Sequence, residues 1–376
     1  MKVTVRHRCA DAATYRASRV KSLFNVSDQA TRFDLEADLP GPDEDWRIGV
    51  IVGPSGSGKS SLGAAMGAFY EPEWPEATPI IDAIGPGLPF DQVTGALSAV
   101  GLGSVPTWLR PYPVLSNGER FRAMLARLVC EEPSLAVVDE FSSVVDRQIA
   151  CVGAAAFAKA WRRGSGRAVL LSCHYDVLDW LQPDWVYDTA TGSLDWGRLR
   201  CRPPIELEVR ESDWRYWPLF EPHHYLKLPR MIAARCYVGF VGGEPVAHLA
   251  VSTRPGLVEA RACRLVIMPE WQGIGVGLRF LNAVCEAWAR GENRYGLRLP
   301  TLFHTSHPGL AAALRRAPGW TQVSGRLCGE SKERSIKTLS RSHERGKLSS
   351  YSMGSGFGGH FRAVQGFRRL LPEDAA

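Results

Sequence analysis

Long apolar runs are missing from this chain of 376 residues: none approaches the roughly 18 to 20 residues that a membrane-crossing helix requires. The opening residues, MKVTVRHRCADAATYRAS, lack the apolar core of a secretory leader. Paired cysteines are missing too. Cys9, Cys130, Cys151, Cys173, Cys201, Cys236, Cys263, Cys285 and Cys328 are scattered, and no two form C-x-x-C. That spacing argues against a zinc ribbon or a disulfide framework and suits reduced thiols packed as small hydrophobes. There is no internal repeat. These absences set the expectation of a cytoplasmic globular protein that makes no use of a membrane.

What is present fits that class. Hydrophobic residues make up 45% and charged residues 22%, as in ordinary globular proteins, and the length suits two domains. Formal net charge is +6, and it is uneven. Residues 331–376 hold nine Lys or Arg against four Asp or Glu, a net +5. A basic segment of this kind accepts nucleic acid or another acidic partner without specifying which.

Residues 47–52 (RIGVIV) read as a buried strand, and Gly53-Pro-Ser55-Gly56-Ser-Gly58-Lys59-Ser60-Ser61 follows directly. This is G-x-x-x-x-G-K-[ST] between a strand and a helix. Its glycines let backbone N–H groups point at a phosphate, and the helix start adds its positive end. Lys59 is placed to reach β/γ oxygens and Ser60 to ligate Mg²⁺. Leu135-Ala-Val-Val-Asp139-Glu140 is a second strand, ending in two acids. Asp139 suits Mg²⁺ coordination and Glu140 suits activation of an attacking water. Leu115-Ser116-Asn117-Gly118-Glu119 opens a helix upstream, Ser142 to Asp146 follows the acids, and Ser172-Cys173-His174 follows a later strand.

In this order, the motifs resemble those of ABC-type ATPases over about residues 1–200. The resemblance implies ATP and Mg²⁺ as ligands, with His174 at the γ-phosphate and Asp146 in the D-loop. It also implies a homodimer formed on ATP, with Ser116 and Gly118 acting across the interface. Asn117 and Glu119 depart from the family's L-S-G-G-Q. Gln92 or Asp82 is a candidate for the Q-loop, and Phe24 for the ring stacked on adenine.

The pattern changes near Cys201-Arg-Pro-Pro204. Strands are expected over 234–240, 245–252 and 262–268, a helix over 277–289, a strand near 300–304 and a helix from Pro308. Val266-Ile-Met-Pro-Glu-Trp-Gln272-Gly273-Ile-Gly275-Val-Gly277 resembles the Q/R-x-x-G-x-G/A motif of GNAT acyltransferases, which implies acetyl-CoA held at its pyrophosphate. Arg315 stands where many members of that family carry a Tyr acid. His223, His224, Ser306 and His307 are the other candidates for catalysis, with structural histidines the alternative. The H-H-Y-L, A-R-C-Y-V, P-E-W-Q-G-I-G-V-G and T-S-H-P segments resemble a narrower group related to the Mom DNA-modification enzyme of phages and mobile elements. That resemblance implies nucleic acid, DNA in particular, as acceptor, with Trp214, Tyr216, Trp217 and Tyr225 as a stacking surface or as core.

The sequence therefore predicts an α/β ABC-type P-loop NTPase domain over 1–200, followed by an α+β GNAT-like domain over 201–330. A basic Gly/Ser-rich tail over 331–376 is expected to contain a loop at 349–359. Two rivals stand beside nucleic-acid modification: a nucleotide-regulated protein or small-molecule N-acetyltransferase, and a non-catalytic ATP-driven clamp.

Overall fold

The computed structural model describes residues 1–8, 14–24, 32–41, 43–197, 204–224, 230–231, 233–253, 259–326, 364–369 and 371. The chain folds into two compact units: one joins 1–74 with 131–203, the other joins 75–130 with 204–376.

β1 (Lys2–Arg8) and β2 (Arg32–Asp38) pair antiparallel, and α1 (Tyr15–Phe24) lies between them in sequence. β3 (Ile48–Val52) leads through the glycine loop into α2 (Lys59–Met66). Four helices follow with no strand between them: α3 (Ile80–Ala83), α4 (Phe90–Ala99), α5 (Val105–Trp108) and α6 (Asn117–Glu131). The first unit then resumes with β4 (Leu135–Val138), α7 (Arg147–Trp161), β5 (Arg167–Ser172), α8 (Val177–Leu181), β6 (Trp185–Asp188) and β7 (Ser193–Trp196). Its sheet has the order β4-β5-β3-β6-β7 and is parallel except for β7. Parallel strands covered on both faces read as unbroken apolar runs, which is why IGVIV is wholly buried.

The second unit adds β8 (Glu208–Ser212), α9 (Trp217–Phe220), β9 (Arg235–Val241), β10 (Glu244–Thr253), β11 (Ala260–Ile267), α10 (Val276–Arg290), β12 (Thr301–Thr305), α11 (Pro308–Arg316), β13 (Trp320–Arg326) and β14 (Val364–Arg369). The strand order is β13-β14-β12-β11-β10-β9-β8, and only β11 and β12 run parallel. Gly242 and Gly243, both at positive φ (58° and 85°), make the two-residue turn between β9 and β10. Helix α10 buries Val276, Phe280, Leu281, Val284, Cys285 and Trp288 in a core with Ala247, Leu249 and Val251. Trp217 and Phe220 join Val238, Phe240 and Val266 in a separate core.

The expected mixed α/β organisation is the observed one. Two features were not expected. The four-helix segment belongs with the second unit, and β14, from beyond residue 330, lies between β12 and β13. The expected loop at 349–359 lies outside the described residues.

Candidate functional site

The loop after β3 takes its shape from Gly53, Gly56 and Gly58, at φ of 148°, 78° and 91°. A β-carbon on Gly53 would stand 1.9 Å from Thr189 Oγ1, so only glycine lets β3 turn there. Thr189, just after β6, donates to Val52 O at 3.0 Å and lies 2.5 Å from Ser57 Oγ, buttressing the loop. Lys59 donates to Gly53 O (3.0 Å) and Pro54 O (2.8 Å), which holds its ammonium over the loop. No side chain caps α2, so the first N–H groups of that helix remain for another acceptor.

Beside this helix start is a cavity of about 450 Å³, lined by Lys59, Ser60, Asp139, Glu140, Ser143 and Cys173 among others. Ser55, Gly56, Gly58 and Ser61 also face it, so most of the residues expected to bind phosphate converge there. Asp139 follows β4, and its Oδ1 accepts from the Glu140 N–H at 2.8 Å. Glu140 and Ser142 hold φ of 49° and 69°, uncommon for residues with a side chain. Between them Phe141 is buried and donates its N–H to Leu171 O at 2.8 Å, an anchor that imposes the turn. Asp146 caps α7, accepting from the Gln148 N–H at 2.9 Å.

Beyond β5, the Cys173 side chain lines the cavity, while His174 Nδ1 sits 3.2 Å from Cys173 Sγ. His7 of β1 also lines the cavity, with Nε2 2.7 Å from Ser61 Oγ. Sequence reasoning missed His7, Thr189 and Cys173. His7 lies in a plain alternating strand, and Thr189 in no motif. The side chain of Phe24 lies outside the described atoms.

Ser116 and Gly118 open α6 in the second unit. Glu119 Oε2 accepts from both the N–H and the hydroxyl of Ser116 at 2.9 Å, and Oε1 accepts from Thr107 at 2.8 Å. This is a capping box, with Glu119 supplying its acid. Burial raises the Glu119 pKa, but the Ser116 and Thr107 bonds and Arg110 outweigh it, so the net shift is downward. Gln92 and Asp82 are exposed on α4 and α3.

In the same unit β11 leads through a 3₁₀ turn, Pro269–Trp271, into the second glycine motif. Gly273 and Gly275 sit at φ of 91° and 90°, and a β-carbon on Gly275 would meet nothing within 4 Å. Gly277 fits against Ile267, 3.0 Å from a β-carbon placed there. Gln272 turns its amide aside: Nε2 donates to Ile267 O and Oε1 accepts from the Gly103 N–H, both at 2.9 Å.

Next to this turn, β11 and β12 pair only over Ala260–Ala262 and Thr301–Phe303. His304 and Thr305 pair on with β14 alone, so the two parallel strands part. Arg264, at φ 58°, lies in a bulge on β11.

The expected catalytic groups are used unequally. His307 Nδ1 accepts from the Leu310 N–H at 3.2 Å, capping α11, which leaves Nε2 to donate to Gly103 O at 3.1 Å. Both ring nitrogens are thus committed, and burial depresses the pKa. His224 is buried with its ring 5.6 Å from that of Trp217, and His223 is exposed. Ser306 Oγ is buried with no hydrogen-bond partner among the described residues. Arg315 donates to Gln322 at 3.1 Å and also to Gln365. Trp217 belongs to the core, Trp214 and Tyr216 pack against it, and Tyr225 lies outside the described residues.

His248 carried no sequence signal. It is fully buried among Trp214, Trp217 and Phe220 at 5.0 to 5.9 Å. Nδ1 lies 3.4 Å from Arg264 O, and Nε2 has no partner among the described residues. Burial lowers its pKa to about 4.

No curated protein matches the chain. Among solved structures, a protein named for cobalt-transport ATP binding aligns at 20% identity and a TM-score of 0.34, covering 48% of this chain and 78% of that one. A dimeric bacterial ABC transporter cassette aligns at 11% identity and a TM-score of 0.34, covering 42% and 87%. Its post-hydrolysis form with ADP and Pi aligns at 13% and 0.32 over the same shares. Residues 206–314 match the model of the acetyltransferase (GNAT) family, and the chain thus carries a GNAT acetyltransferase domain there.

Proposed function

We propose that the first unit hydrolyses ATP and that the acetyltransferase domain transfers an acyl group from acyl-CoA. One observation carries the reading: the same phosphate-binding device is built twice. Gly58 ahead of α2 has φ/ψ of 91°/9°, and Gly275 ahead of α10 has 90°/2°, each following a strand and each without a side-chain cap. Helix starts of this form present N–H groups to phosphate.

The residues fit the ligands. At the first site Lys59 reaches the terminal phosphates, and Ser60 and Asp139 would hold Mg²⁺, which neutralises phosphate charge when bound. Glu140, exposed at the cavity wall, orients water and accepts its proton. Ser116 and Gly118 serve a second copy's nucleotide, making the active form a homodimer. At the second site the backbone of Gly273–Gly277 receives the pyrophosphate, and the parting of β11 from β12 admits the acyl end. His223, on a turn packed against β11, is the base we assign to the acceptor. Nucleic acid is the acceptor class we favour, on the net +5 of residues 331–376.

Paired knockouts in the full chain test this. Lys59→Ala should lose ATP binding and keep acetyl-CoA binding, and Gly275→Val should do the reverse. If either variant retains its own ligand, that assignment falls. Nucleoside mass spectrometry of DNA and RNA from cells with and without the protein tests the acceptor, and unmodified nucleosides would favour a protein or small-molecule amine.

A further inference from the structure

The helical segment 75–130 grips the second glycine turn directly. A β-carbon on Gly101, itself at φ 84°, would stand 2.4 Å from Gln272 O and 2.9 Å from its carbonyl carbon. The Gly103 N–H binds Gln272 Oε1, so the first side chain of the turn is tied at both ends. The grip is itself held. Each carbonyl of Gly101, Leu102 and Gly103 accepts from a different side chain: Arg122 at 2.8 Å, Trp108 at 2.6 Å and His307 at 3.1 Å. Arg122 also donates to Pro269 O, three residues before the motif begins. Helices α4 and α11 close beside the loop, where a β-carbon on Gly309 would stand 2.4 Å from Ser98 Cβ.

Arg122 is a conspicuous choice for the middle of this contact. It is 4% exposed, interacts with the charges of Glu270 and Glu119, and leaves Nε and Nη2 without hydrogen-bond partners among the described residues. An apolar side chain of similar volume would fill the space without the desolvation cost of a cation. The cation instead bonds two carbonyls, one on the loop and one on the turn, that no apolar residue could bond.

Building on the assignment of Gln272–Gly277 as the acyl-CoA pyrophosphate turn, we propose that Arg122 and the Gly101–Gly103 loop are its positioning elements. The acyl-donor site is thus completed by a segment from outside the acetyltransferase match, inserted between two strands of the other unit. Positioning acts on backbone N–H groups aimed at phosphate, so its loss falls on the pyrophosphate part of the donor.

The test measures affinity of the full chain for CoA and for pantetheine, which lacks the pyrophosphate. Arg122→Met should weaken CoA binding about ten- to a hundredfold, as misplaced contacts do, and leave pantetheine and ATP binding unchanged. Arg122→Lys, which keeps charge and donors, should recover part of the loss. If Arg122→Met does not fold, as judged by loss of a cooperative unfolding transition, Gly101→Ala probes the same contact. Unchanged CoA affinity in the folded variants, or an equal loss for pantetheine, overturns the positioning role. A wild-type chain that binds neither CoA nor pantetheine overturns the donor-site assignment and the proposal with it.

Discussion

Trp185 occupies the space in which a side chain on Gly49 would begin: the two face each other across β3 and β6, and a β-carbon there would lie 2.0 Å from two indole atoms. Trp46 meets the same indole edge-on at 5.5 Å, so the ring has no room to retreat. Gly49→Ala should therefore destabilise the first unit by about 1–3 kcal/mol, the usual cost of overpacking. Urea unfolding followed by nucleotide binding checks this, and an unchanged midpoint would show that the sheet can yield.

Glu140→Gln tests the residue proposed to activate water. The amide keeps the shape of the side chain but cannot take a proton from water. ATP should bind as before, while turnover falls by about 10²–10⁴-fold. Single-turnover kinetics separates the two, and wild-type turnover would assign the proton to another group.

The Ser116–Glu119 cap sets a pH dependence. The folded state lowers the Glu119 pKa below its ordinary 4.5, so the stabilisation is complete above that pH. It fades as pH falls through the lower folded-state value. Glu119→Gln should be less stable than wild type at neutral pH, by about 1 kcal/mol, and the gap should close in acid. Chemical denaturation at several pH values reads the difference.

His248 carries the opposite sign. Its folded-state pKa, about 4, lies below the ordinary 6.5, so the unfolded chain takes up a proton first as pH falls. Stability should drop between pH 6.5 and 4, by up to about 3 kcal/mol. His248→Phe should flatten that acid limb. A limb of unchanged depth would place the titration on another residue.

Cys173 is exposed and lines the cavity beside α2, whereas Cys130, Cys236 and Cys285 are buried. Maleimide labelling of Cys173, followed by peptide mapping, should slow several-fold with Mg·ATP and stay unchanged in Lys59→Ala. Equal labelling with and without nucleotide would mean that nucleotide does not cover this thiol.

What could be read from the sequence was local. Glycine spacing in 53–58 and 272–277 reports backbone angles that only a few neighbouring residues decide, and both turns form as expected. The strands expected over 234–240, 245–252 and 262–268 form within two residues of those bounds, as Arg235–Val241, Glu244–Thr253 and Ala260–Ile267, with the Gly-Gly turn between the first two. Contacts between distant residues left no such trace. Nothing near Thr189 points to Gly53, nothing in the alternating β1 points to Ser61, and Val364–Arg369 has too few neighbours of its own kind to announce a sheet strand. His307 shows the same limit from the other side. Its chemistry suited catalysis, but Gly103, 204 residues away, engages its Nε2.

The chain's path also has a temporal side. Gly103 and Gln272 are 169 residues apart, so a ribosome adding roughly 5–20 residues per second completes the first about ten to thirty seconds before the second. Throughout that interval Arg122 and the Gly101–Gly103 loop lack their partners in the turn, while β4 and β5 are made and can pair with β3. After residue 203 one unit has all its residues, while the helices of 75–130 still lack the strands of their own unit.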